Sequence, residues 1–132
     1  MDNKLTKTAA IFAFIIGVMA IFAGGQVLLG KTMNYYVIDW LPIYNFIVGI
    51  ISAFFTAIVI WKGSKIAMPA AIGTLISHSI VMVILQTAYR DVVAPDSIKA
   101  MAFRIVVWLM ILSLMIIQAR KDKRSSKQLH NE

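Results

Sequence analysis

Cysteine is absent from the 132 residues. Disulfides, thiol redox chemistry, iron–sulfur clusters and thiolate metal sites are therefore excluded. Charge is also scarce, at 14% of residues, against about 25% in a typical soluble domain. The six acidic residues all lie outside the apolar runs described below. A metal site within those runs would lack its carboxylates, and none is expected. Histidine occurs twice, as His78 and His130, and only His78 falls in an apolar run. Paired histidine ligation of a haem within one chain is thereby ruled out. No combination of residues reads as a catalytic constellation, so no catalytic residue is assigned and no enzymatic activity of its own is expected.

What the chain has in abundance is hydrocarbon. Hydrophobic residues make up 60% of it. They gather into four runs, residues 8–29, 41–61, 66–89 and 98–118. A bilayer core needs about 20 apolar residues per helical crossing. The pattern predicts an all-α polytopic membrane protein, a single domain of four transmembrane helices in an antiparallel bundle. The first run is too long for the core of a cleavable signal, and it reads as a retained helix. Within it Ala9, Ala13 and Gly17 fall four apart, as do Ala20 and Gly24, a spacing that lets membrane helices approach closely. Pro42 and Pro69 fall in the first turns of their helices, where the missing N–H costs nothing. Pro95 stops any continuation of the third run, and Asp96 or Ser97 can cap the fourth. Residues 119–132 read as a polar tail with a frayed end.

Basic residues sort by side. Lys62-Gly63-Ser64-Lys65 is too short to cross a membrane, so the second and third runs form a hairpin. The termini and this turn carry Lys4, Lys7, Lys62, Lys65, Arg120, Lys121, Lys123, Arg124 and Lys127. The opposite loops and the start of the fourth run carry Lys31, Arg90 and Lys99. That imbalance predicts both termini in the cytoplasm, and the plasma (inner) membrane is the expected location. It also explains the net charge of +7 without a nucleic-acid partner. Trp40 and Trp61 bracket the second run as interfacial anchors.

Few polar residues interrupt the runs. An ionisable group at mid-bilayer turns toward protein or a water-filled cavity. His78 can be a neutral imidazole bonded to a neighbouring helix, or the floor of a pocket. Arg104 can snorkel to the surface, or face inward and pair with Asp39, Asp91 or a ligand anion. Asn45, Gly49, Ser52 and Thr56 form a small polar stripe on the second helix. Ser77, His78, Met82, Gln86 and Tyr89 lie over a broad face of the third. The candidate ligand-binding residues are His78, Gln86, Tyr89, Asn45, Arg104 and Trp108. The faces can glue helices together, or enclose an outward-opening pocket with polar groups at its mouth and His78 at its floor.

Residues 17–30 (GVMAIFAGGQVLLG) resemble the first-helix exit of the DoxX-like group of small four-helix membrane proteins. The likeness continues through the aromatic loop, Pro42, residues 45–61 and the short turn into an alanine-rich third helix. Members often carry an acidic residue early in the second helix, where Asn45 stands here. They often carry a basic residue near the first-helix exit, where Gln26 or Lys31 stands. The resemblance implies a membrane subunit associated with quinone-linked or other redox assemblies. Partners are then membrane lipids and other membrane subunits, or further copies of the chain. A quinone or lipid could hydrogen-bond His78 or Gln86 and stack on Trp108 or Tyr89. The alternative is a small oligomeric transporter or channel.

Overall fold

The computed structural model describes residues 3–131. Four helices long and apolar enough to cross a membrane make up the bundle: α1 (Lys4–Leu28), α2 (Leu41–Trp61), α3 (Ala67–Thr87) and α4 (Pro95–Asn131). Between 28% and 33% of each apolar window is buried within the chain. The outward faces, with Phe14, Phe22, Phe54, Ile80 and Val106 exposed, form an apolar surface far beyond the few hundred Å² a soluble monomer shows.

The helix ends have local causes. Gly30 (φ 102°) and Gly63 (φ 65°) adopt left-handed conformations. Each follows the last turn of α1 or α2 and closes the same motif. Lys31 N–H reaches Gln26 O at 3.0 Å, and Ser64 N–H reaches Val59 O at 3.0 Å. Such 6→1 bonds satisfy carbonyls that the helix end would otherwise leave bare. Pro42 sits in the first turn of α2. Pro95 opens α4 rather than merely preceding it, using a position where its fixed φ already suits a helix.

Neighbours in sequence are neighbours in space. α1 packs along α2 and α4, and α4 packs along α3, while α2 and α3 meet near the turn between them and at mid-length. The α1–α2 contact is the closest. A Cβ on Gly17 would lie 2.6 Å from Ala53 N, and one on Gly49 2.7 Å from Ile21 N. A Cβ on Gly24 would strike the carbonyl of Pro42. Only glycine permits backbones this close. Gly17 and Gly24 of the predicted small-residue face of α1 thus lie in the seam to α2.

Two differences from the sequence reading concern helix form. Ile51–Thr56 of α2 is π-helical, with Ala57 N–H bonded to Ser52 O. One extra residue per turn rotates the second half of α2. Gly49, Ser52, Ala53, Thr56, Ala57 and Ile60 are buried through and beyond this turn. The fourth helix does not end near Gln118 in a frayed tail; it continues through Asn131. Residues 119–131 contain neither glycine nor proline, and their three Lys, two Arg and single Ala, Leu and Gln are all strong helix formers. Gln118 Nε2 donates to Asp122 Oδ1 across one turn at 2.9 Å.

The interior has two apolar clusters. One joins Ala9, Ala13, Ile60, Ala71, Trp108 and Ile111; here Lys7 lies over the Trp61 ring, 5.0 Å from its centre. The other joins Ile38, Leu41, Val81, Leu85 and Met101. It lies toward the end where Trp40 Nε1 donates to the Tyr89 hydroxyl at 3.0 Å. These are called the Trp61 end and the Trp40 end below.

Candidate functional site

Tyr44, Asn45, Ser77, His78 and Arg104 bring polar groups together in the half of the bundle nearer Trp40. Tyr44 and Asn45 are consecutive on α2, so their side chains leave the helix about 100° apart. Tyr44 reaches α3 and Asn45 reaches α4.

The Tyr44 hydroxyl lies 2.9 Å from Ser77 Oγ and 2.9 Å from His78 Nδ1. A phenol has one proton to donate and lone pairs to receive, so it can join the two as a relay. The rings of Tyr44 and His78 meet edge to face, 5.8 Å between centres. His78 is 2% exposed. It is turned inward and hydrogen-bonded, as its position in an apolar run requires.

Arg104 is also turned inward, at 5% exposure. It does not snorkel, and its partner is neither Asp39 nor Asp91, both of which are exposed. Its Nη1 donates to Asn45 Oδ1 instead. A guanidinium has five N–H donors, and this amide takes one of them.

Arg104 also borders a cavity of about 70 Å³ near the Trp40 end. Ala23 and Val27 of α1, Tyr35 and Val37 of the first loop, and Pro42 and Asn45 of α2 form one side. Asp96, Ser97, Ala100 and Met101 of α4 form the other, with Arg104 two turns below Asp96. About 10–15 Å³ of such space admits one water. The cavity therefore has room for several waters or a compact head group, but not for a whole drug-sized molecule.

The six candidate residues separate into distinct places. Asn45 and Arg104 share the cavity. His78 belongs to the Tyr44 network and does not line the cavity, so Arg104 with Asn45 stands where His78 was expected as the floor. Tyr89 is half-buried and bonded to Trp40, stacked edge to face at 5.9 Å. Trp108 is fully buried in the apolar cluster of the Trp61 end and has no open ring face. Gln86 is exposed. It follows Leu85, and the inward line of α3 runs through His78, Val81 and Leu85. One further residue turns the side chain about 100° away from that line.

Tyr44 was the functional group missed in the sequence, where an aromatic near a helix end reads as an anchor. Its signal was a hydroxyl one turn inside an apolar run. The buried Oγ1 of Thr56, beside the π-helical turn, has no hydrogen-bond partner. Among the described residues, no cluster of metal-binding side chains occurs. Comparison of the chain with protein-family models, curated proteins and solved structures finds no match to any of them.

Proposed function

We propose that this chain is an integral membrane protein of the inner membrane that receives the polar head of a membrane-dissolved molecule, a lipid or a quinone, within a larger assembly. In this reading the four helices run antiparallel. The Trp61 end faces the cytoplasm with both termini, and the Trp40 end faces outward. The register supports it: Gly24 meets Pro42, and Gly17 meets Ala53. The nine basic residues at the termini and the 62–65 turn supply the sidedness. The DoxX-like resemblance of residues 17–30 points the same way, toward a subunit beside redox or other membrane partners.

The observation that carries the proposal is Arg104. A buried charge in a membrane span is costly and is retained where it does something. Here it borders a cavity, and its hydrogen bond to the protein goes to a neutral amide. The transporter reading has less support, because the interior around Trp108, Ile111 and Met115 is apolar and offers no continuous polar path.

Purification in mild detergent followed by native mass spectrometry tests the proposal. The expected result is a bound isoprenoid or phospholipid, with or without partner subunits. A chain free of bound amphiphile that moves ions in liposomes as a homo-oligomer would replace this reading with the transporter.

A further inference from the structure

We infer that the head group taken by the Arg104 cavity is a monoanion, a carboxylate or a phosphate diester; this rests on the amphiphile-binding reading above. The floor of the cavity is a guanidinium 5% exposed, committed to the protein through one hydrogen bond to a neutral amide. Planar, forked donors of this kind match a carboxylate or phosphate oxygen pair. Within a bilayer the positive charge needs a counter-charge, and neither Asn45 nor any other hydrogen-bond partner supplies one. A neutral quinone carbonyl would satisfy a donor but leave the charge uncompensated.

The first turn of α4 borders the cavity through Ser97 and Ala100, but its Ser97 and Ile98 N–H groups are taken by the Ala94 carbonyl, so the preference for an anion rests on Arg104. Asp96 sets the upper limit on ligand charge. It is exposed at the rim and lies eight residues, or about 12 Å, along the helix from Arg104. With Asp96 at the rim and Arg104 at the floor, a single negative charge near the floor is tolerated, while a second charge nearer the rim meets repulsion. The cavity volume of about 70 Å³ fits a head group and leaves any acyl or isoprenoid tail outside.

The test uses the full chain in nanodiscs of phosphatidylcholine containing a minor fraction of phosphatidylglycerol, with retained lipids counted by native mass spectrometry. Arg104→Gln and Asp96→Asn are compared with the parent. Both variants keep the nine basic residues of the Trp61 end, so lipid held there cancels. Arg104→Gln is expected to lower retained phosphatidylglycerol by on the order of tenfold. Asp96→Asn is expected to raise it by about threefold. Where Arg104→Gln does not fold, Asp96→Asn decides alone. Equal retention by the parent and both variants, or weaker retention by Asp96→Asn, overturns the inference. A second arm adds acetate or inorganic phosphate to protein in neutral detergent. Arg104-dependent thermal protection there assigns the anion to a soluble source, and protection by phosphatidylglycerol alone assigns it to lipid. Arg104-dependent retention of a neutral amphiphile only would end the anion inference while leaving the proposed function standing. Retention of nothing would end both.

Discussion

Arg104 of α4 and Asn45 of α2 are joined by a hydrogen bond between helices that stand opposite one another in the ring of four. The bond crosses the bundle where α1 and α3 leave room, and it fixes the guanidinium below the cavity. Asn45→Ala removes the acceptor and leaves a buried cation with no protein partner. Hydrogen bonds to charged groups contribute about 1.5–3 kcal/mol, so this variant is expected to unfold several degrees earlier in detergent. Asn45→Asp places a carboxylate against the guanidinium and is expected to fold at least as well as the parent. It should also compete with an added anion. An Asn45→Ala melting curve superimposable on the parent's would remove the bond from any structural role.

The Tyr44 hydroxyl is the point where α2 and α3 are held by polar contact. Tyr44→Phe keeps the ring and removes both bonds. Interhelical hydrogen bonds in membranes average about 0.6 kcal/mol and reach about 1.7 kcal/mol. The expected loss is therefore modest, about 1–2 kcal/mol for the pair of bonds. His78→Leu should likewise leave folding intact. A double-mutant cycle between the two positions checks the contact directly. Independent, additive losses from Tyr44→Phe and His78→Leu would show that the hydroxyl and the imidazole do not act together.

The four long apolar helices and the inward turn of His78 were legible because hydrocarbon punishes every alternative. A run of about 20 apolar residues has one economical conformation in a bilayer, but a long cationic side chain two turns inside it can snorkel or turn inward, and the sequence left Arg104 between the two. Neighbour choice was less legible. The sequence offered Asp39 and Asp91 as partners for Arg104, since opposite charge is the strongest cue. Distance decided otherwise, because Asn45 sits within the span and those aspartates lie in loops. Gln86 shows the limit of reading a face from spacing: one residue past Leu85 is enough to turn a side chain outward. The π-helical turn at Ile51–Thr56 left no mark, since its residues suit an α-helix equally well. Residues 119–131 looked like a tail because they are polar, but helix propensity depends on backbone and rotamer freedom rather than hydropathy.

Two glycines separate close packing from mere presence of small residues. Gly17→Val would push its Cβ against the backbone of Ala53, where no flexible side chain can yield. Overpacking of this kind costs about 1–3 kcal/mol, and α1 should part from α2. Gly73 is the control, since a Cβ there meets nothing within 4 Å. Gly73→Ala should stabilise α3 by about 0.5–1 kcal/mol through backbone entropy. Denaturation in mixed detergent micelles ranks the two against the parent. The seam would be refuted by a Gly17→Val variant as stable as Gly73→Ala.

The absence of cysteine makes the topology directly testable, because any introduced thiol is unique. Asn3→Cys and Ser126→Cys lie before the first apolar run and beyond the fourth. Thr32→Cys lies in the loop between α1 and α2. With basic residues concentrated at the Trp61 end, the positive-inside bias requires the first two thiols to face the cytoplasm. A membrane-impermeant maleimide added to intact cells should label Thr32→Cys alone. After the membrane is opened, all three should react, and Ser126→Cys should react readily because Ser126 is exposed on the helical extension of α4. Labelling of Asn3→Cys and Ser126→Cys from opposite sides would leave an odd number of crossings. A bundle in which all four helices cross the membrane could not then stand.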